Sequence, residues 1–113
     1  MAVVLIVEDE FLIRIMAADF ARDAGHEAIE AANADEAIRI LEGRTDIEIV
    51  FSDVSMPGTM DGVRLMQMIR NRWPPIRLIL TSAKSLRQDA GVPQGTFFVP
   101  KPYGFEDLSR ALQ

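Results

Sequence analysis

The sequence predicts an α/β fold in which helices cover both faces of a five-stranded parallel sheet. Three observations predict it. Short apolar runs of strand length alternate with segments whose apolar residues recur at helical spacing. The clearest run, Val3–Val7, is apolar at every position rather than at alternate ones, as expected of a strand buried on both faces. The connections are short, so each helix crosses over between neighbouring strands, and the usual right-handed crossover makes the sheet doubly wound and parallel.

After Val3–Val7, Ile13, Met16, Ala17, Phe20 and Ala24 mark the inner face of a first helix, which Gly25 ends. His26–Ala31 reads as the second strand. Asn33 is an N-cap with Glu36 three residues on, opening a helix with Ala34, Ala37, Ile38 and Leu41 inward and Gly43 at its close. Ile47–Ser52 is the third strand. A loop through Pro57 and Gly58 reaches Asp61-Gly62, and Leu65, Met68 and Ile69 mark the third helix. Pro74-Pro75 breaks the chain before the fourth strand, Ile76–Leu80. Thr96–Val99 is the fifth strand, and Phe105, Leu108 and Leu112 define a final helix. Between Leu80 and Thr96 the crowding of Gly91, Pro93 and Gly95 leaves room for a turn or two of helix over Ser85–Ala90, followed by irregular chain.

At 113 residues the chain suits one domain, and no linker or repeat suggests another. Hydrophobic residues at 49% and charged residues at 26% are ordinary globular composition. The absence of cysteine removes disulfides, thiol catalysis and zinc–thiolate sites together. No apolar run approaches the roughly 20 residues of a membrane span. The opening Met1–Val7 has no basic flank and meets Glu8-Asp9-Glu10 directly, unlike a signal peptide, so a cytoplasmic protein is expected. A net charge of −5 disfavours nucleic acid, and Arg70, Arg72 and Arg77 read as a solvated helix end. His26, the single histidine, reads as a loop residue away from the acids, with no partners for catalysis or metal.

In open α/β sheets ligands sit beyond the carboxyl ends of the strands. The first strand ends in Glu8-Asp9, the third in Ser52-Asp53, the fourth in Thr81-Ser82, and the fifth runs into Lys101-Pro102. If the first and third strands are neighbours, Glu8, Asp9 and Asp53 share one patch. Crowded carboxylates resist joint ionisation, and a hard divalent cation relieves the repulsion. Mg²⁺ suits a few carboxylates, a carbonyl and several waters. Asp53 could then attack phosphorus as a nucleophile, Lys101 could neutralise a phosphoryl oxygen, and the Thr81 hydroxyl could donate to another. Taken singly, each residue has a plainer use: an acid after a strand is most often a turn residue or helix cap. Taken together, four strand ends offering compatible chemistry argue for a site.

The residues carrying this pattern are Leu5-Ile6-Val7-Glu8-Asp9-Glu10, Asp53-Val54-Ser55-Met56-Pro57 with Asp61-Gly62, Thr81-Ser82-Ala83, and Lys101-Pro102-Tyr103. In that order and at those strand ends, they resemble the receiver domains of bacterial response regulators over essentially the whole chain. The resemblance implies a flavodoxin-like sheet of order 2-1-3-4-5 and one receiver domain over residues 1–113. It implies Asp53 as phosphoacceptor, Mg²⁺ held by Asp9, Asp53 and the main-chain carbonyl of Ser55, and Glu8 acting through water. Thr81 and Lys101 would grip the phosphoryl oxygens. The donor would be the histidine of a sensor kinase or phosphotransfer protein, and the recipient of the signal a downstream protein. Such a domain catalyses its own phosphorylation and slow dephosphorylation and is not otherwise an enzyme. The resemblance further implies a switch in which Thr81 moves toward the phosphoryl group and Phe98 turns inward behind it. A buried core phenylalanine is the plainer reading of Phe98.

Three departures stand against the family pattern. The loop Met56–Gly62 is one residue longer than the commonest form, and the interval from Thr81 to Lys101 is shorter, which agrees with a short or irregular fourth helix. That helix normally helps build the dimer face, so a monomer or weak homodimer is expected. The chain stops at Gln113 soon after its last helix begins, which suits either a stand-alone regulator or a piece of a longer protein. Among other functions, a haloacid-dehalogenase-type phosphatase would need a second Asp where Ser55 stands, as its general acid. A nucleotide-hydrolysing domain would need a G-x-x-x-x-G-K-[ST] loop, which is missing. A degenerate receiver used as a phosphorylation-independent adaptor would not need Asp9, Asp53, Thr81 and Lys101 together.

Overall fold

β1 (Val3–Val7) is buried along its whole length and is an inner strand of the sheet. The computed structural model describes residues 1–56, 58, 60–83 and 91–113. Along the chain follow α1 (Phe11–Asp23), β2 (Glu27–Ala31), α2 (Ala34–Gly43), β3 (Ile49–Asp53), α3 (Gly62–Arg72), β4 (Arg77–Ser82), β5 (Phe97–Pro100) and α4 (Phe105–Leu112). The strands form one parallel sheet of order β2-β1-β3-β4-β5, the doubly wound arrangement that the alternating periods predict.

Successive strand side chains point to opposite faces, and each face has its own core. Val3, Leu5 and Val7 of β1, Val50 of β3, and Leu78 and Leu80 of β4 pack with α2 and α3. Val4 and Ile6, Ile49 and Phe51, Ile79 and Val99 pack with α1 and α4. The contact residues of α1 are Ala17, Ala18 and Ala21, all fully buried. Their small side chains bring the helix close to the sheet, while Ile13, Met16, Phe20 and Ala24, expected as the inner face, are only half-buried. Phe20 meets Phe105 of α4 edge to face, with ring centroids 6.0 Å apart. In α3 the core position is Met66 rather than the expected Met68, which is half-buried. Strand limits differ from expectation by one or two residues, because pairing rather than hydrophobicity ends a strand: polar Asp53 and Ser82 both lie in the ladder, and apolar Ile47 lies outside it while still in the core.

The expected cap of α2 is present. Asn33 Oδ1 accepts from the Glu36 N–H at 2.8 Å, and Glu36 Oε1 accepts from the Ala32 N–H at 3.0 Å. Asn33→Ala is expected to lower stability by about 1 kcal/mol, read as a lower urea midpoint with unchanged slope.

The helix expected over Ser85–Ala90 lies outside the described residues. The chain after it is clipped to α3: Gln67 Nε2 donates to the Gly91 carbonyl at 2.6 Å and an Arg70 guanidinium nitrogen to that of Gln94 at 2.7 Å. The arginines expected to form a solvated helix end are structural ties instead. Arg72 pairs with Glu42 of α2 at 2.9 Å and stacks over Trp73. Arg77 donates to the carbonyls of Ala111, Leu112 and Gln113 at the negative end of α4. His26, expected as a loop residue, precedes β2, and its Nδ1 accepts from the Ala2 N–H at 3.0 Å. Among the described residues no helix is long and apolar enough to cross a membrane.

Candidate functional site

Register brings the four strand ends within two residues of one another. Val7 pairs with Ser52, Asp53 with Thr81, and Ser82 with Pro100. Glu8, the next residue of β1, therefore stands at the height of Asp53; in β5 it is Val99 that is level with Asp53, and Lys101 follows two residues on, its long side chain reaching back to the acid. Each is tied back to its neighbouring strand: the Glu8 N–H donates to Ala31 O, that of Val54 to Thr81 O, and that of Lys101 to Ser82 O, all at 3.0 Å. The Lys101–Pro102 peptide bond is cis.

Glu8, Asp9 and Asp53 each offer a carboxylate oxygen, and these lie within 4.8 Å of one another. Glu8 and Asp53 are buried and Asp9 is exposed, so the cluster opens to solvent on the Asp9 side. Lys101 Nζ bridges the two buried acids, 2.9 Å from Asp53 Oδ2 and 3.2 Å from Glu8 Oε1. The remaining oxygens accept from the main chain: Glu8 Oε2 from the Glu10 N–H at 3.2 Å, and Asp53 Oδ1 from the Ser55 N–H at 3.3 Å. Burial, with Asp53 nearby, pushes the Glu8 carboxyl above its ordinary value despite these hydrogen bonds and Lys101. Burial opposes the charge of Lys101, but the hydrogen bond to Asp53 and the fields of both acids outweigh it and raise its pKa.

Of the residues expected at the site, Glu8, Asp9, Asp53 and Lys101 come together as one cluster. Thr81 lies beside Asp53 in the ladder, and its fully buried Oγ1 has no hydrogen-bond partner among the described residues. Ser55 is exposed and lines a shallow depression with Asp9, Val54, Met56 and Asp61. Phe98 stands apart from the acids, half-buried against the core on the α2–α3 side.

Two supports escaped the sequence. The Gly62 N–H donates to Val54 O at 2.8 Å, and a Cβ on Gly62 would collide with the Asp53 carbonyl. The start of α3 is thus seated on the backbone of the acid. Asp61 caps that helix, its Oδ1 accepting from the Arg64 N–H at 2.9 Å. Gly62→Ala is expected to destabilise the fold by about 1–3 kcal/mol through overpacking, read by denaturant unfolding. The second support is Arg14 on α1, whose guanidinium donates to the Glu8 carbonyl at 3.0 Å. Its spacing from the acids, four residues after Glu10, is the helical repeat, and nothing in the sequence distinguished it from a surface arginine.

Three oxygen donors of one charge sign, close together and open on one side, fit a small hard cation and not a soft one. The adjoining ammonium and the unpartnered hydroxyl of Thr81 fit an oxyanion.

Comparison with known proteins bears on this site. The family described as "Response regulator receiver domain" matches residues 4–113. The sensor kinase CckA of Brucella abortus is 34% identical over 120 residues, a match covering 99% of this chain and 12% of that protein. The response regulator FleR of Pseudomonas aeruginosa is 39% identical over 82 residues, covering 73% of this chain and 17% of FleR. The chain therefore spans less than a fifth of either relative. Among solved structures, the chemotaxis protein CheY4 of Vibrio cholerae superposes with a TM-score of 0.89 at 28% identity, covering 100% of this chain and 97% of CheY4. The response regulator TrrA of Thermotoga maritima, solved in complex with Mg²⁺ and a beryllium fluoride, gives 0.86 at 27% identity, covering 99% and 96%.

Proposed function

The chain belongs to the response regulator receiver domain family of two-component signalling, and from that premise we propose that residues 1–113 act as one receiver domain with Asp53 as its phosphoacceptor. The observation that carries this reading is the Asp53 carboxylate held between the Glu8–Asp9 acids and Lys101 at the carboxyl ends of the strands.

Asp9, Asp53 and the main-chain carbonyl of Ser55 would hold Mg²⁺ directly. Both Glu8 oxygens are already engaged, by Lys101 and the Glu10 N–H, which supports a role for Glu8 through water. When bound, Mg²⁺ supplies charge neutralisation for the carboxylates and the incoming phosphoryl oxygens. The donor is a phosphohistidine of a sensor kinase or phosphotransfer protein. An Asp53 oxygen attacks phosphorus in line, the P–O bond forms as the P–N bond breaks, and the electron pair returns to the imidazole nitrogen. Lys101 turns from the carboxylates to a phosphoryl oxygen, and the Thr81 hydroxyl gains the partner it lacks. That new bond favours the phosphorylated arrangement, and Phe98, half-buried at the level of Leu80, follows by turning inward. A bias of a few kcal/mol is enough to invert such a two-state equilibrium. The changed surface then meets a downstream protein. The domain acts by accepting the group and slowly losing it to water, rather than by turning over a separate substrate.

Titration with beryllium fluoride, read by ¹⁹F NMR, tests the reading. Bound resonances are expected with Mg²⁺ and not without it, and not in Asp53→Asn. A wild type that binds Mg²⁺ but no beryllium fluoride would favour a phosphorylation-independent adaptor.

The raised Glu8 pKa has a signed consequence. The metal-free fold favours neutral Glu8, so this group contributes stability below its ordinary value of 4.5 that is lost as pH rises through the raised value. Glu8→Gln is therefore expected to be more stable than wild type at neutral pH without metal, and to lose that advantage as Mg²⁺ is added. Thermal unfolding across the acid-to-neutral range, with and without Mg²⁺, checks both signs.

A further inference from the structure

We infer that Arg14 is a positioning residue for the acid cluster, fixing the peptide plane that joins Glu8 to Asp9; the inference rests on the metal reading proposed above.

The geometry is specific. Arg14 lies in the first turn of α1, and its side chain is only 15% exposed. One terminal guanidinium nitrogen donates to the Glu8 carbonyl at 3.0 Å, and Nε donates to Glu30 Oε1 on the edge strand β2 at 3.3 Å. Glu30 is held in turn by Arg22, 3.7 Å away. On the other side of Glu8, its N–H donates to Ala31 O at 3.0 Å. Both backbone groups of Glu8 are thus tied toward β2, one directly and one through Arg14.

A peptide unit is planar, so the Glu8 carbonyl and the Asp9 N–H turn together. The direction of that carbonyl sets where the Asp9 Cα, and with it the exposed carboxylate, leaves the strand. Glu8 and Asp53 are buried and pinned by Lys101. Asp9 is exposed, and what aims it at the other two acids is this backbone orientation. The planar fork of arginine serves both a carbonyl and a carboxylate at once, which the single ammonium of lysine does poorly.

Charge and position predict opposite signs, which makes the inference testable. As a mere cation, Arg14 would repel Mg²⁺, and Arg14→Gln would tighten binding. As a positioning residue it aids binding, and its loss weakens it. Mg²⁺ titration calorimetry on wild type, Arg14→Gln, Arg14→Lys and Glu30→Gln, with far-UV circular dichroism to verify folding, separates the two. Arg14→Gln and Arg14→Lys are expected to bind Mg²⁺ about tenfold more weakly, the usual scale for losing a group that orients a ligand, and Glu30→Gln to show a smaller loss. In metal-free ¹H–¹⁵N spectra the Asp9 amide is expected to shift in both Arg14 variants. Tighter or unchanged Mg²⁺ binding in Arg14→Gln, or an unmoved Asp9 amide, would overturn the inference. If Arg14→Gln fails to fold, Arg14→Lys carries the same comparison. A wild type that binds no Mg²⁺ would contradict the metal reading instead, and the Asp9 amide would still decide whether Arg14 holds the peptide.

Discussion

Asp53→Asn is expected to take up no detectable phosphoryl group from a small-molecule donor at any Mg²⁺ concentration, while keeping its fold. The change removes the anionic oxygen proposed to attack phosphorus and substitutes an amide, which does not form the acyl phosphate. It also removes one of three clustered carboxylates. Losing a group that merely orients a ligand costs tenfold or more in metal affinity, so losing a ligand itself should weaken Mg²⁺ binding by at least about tenfold. The fold survives because Asn matches Asp in shape and because Lys101 keeps Glu8 as a partner at 3.2 Å. Intact-protein mass and Mg²⁺ calorimetry check the two effects separately. Uptake by the variant would place the acceptor elsewhere.

Lys101→Met is expected to produce the second large effect, and its three parts differ in sign. The variant lacks the ammonium proposed to neutralise a phosphoryl oxygen. Removing one such preorganised group typically costs about 10²–10³ in rate. The metal-free fold loses the cation shared by Glu8 and Asp53. Breaking a fully buried pair costs about 3–5 kcal/mol, and the loss here should be smaller because the Lys101 side chain keeps some exposure and the acids can protonate. Mg²⁺ should bind more tightly and restore more stability than it does in wild type, because its competitor for Asp53 is gone. Thermal unfolding against Mg²⁺ concentration reads the last two effects, and the rate of mass gain reads the first. A variant with weaker Mg²⁺ binding would show that Lys101 organises the acids rather than competing for them.

Much of the fold was legible because burial on both faces leaves a plain signal. Val3–Val7 shows no alternation, and it does lie between two cores. The acid–lysine cluster was legible because strand ends collect in one place: Glu8-Asp9, Asp53 and Lys101 are far apart in sequence, yet each follows an apolar run. Strand order came from the family resemblance, since apolar runs alone do not say which strands are neighbours. What escaped depends on packing and on side-chain reach. The core face of α1 is three alanines, of which the spacing picks out Ala17 alone; periodicity ranks Ala18 and Ala21 below Ile13 or Phe20 although only small residues allow the close approach. Met66 and Met68 are chemically the same and differ only in where α3 faces. Arg77 looked like a surface charge because its partners are the carbonyls of α4. Arg14 escaped for the same reason: what it binds is a backbone oxygen.

Asp53 is expected to be phosphorylated in an Mg²⁺-dependent way. Intact-protein mass of the wild type after incubation with acetyl phosphate, with and without Mg²⁺, tests it most directly when followed by borohydride reduction and peptide mapping. A gain of one phosphoryl group is expected only when Mg²⁺ is present, with reduction marking residue 53. A modification at another residue, or no gain under conditions where Mg²⁺ demonstrably binds, would contradict it.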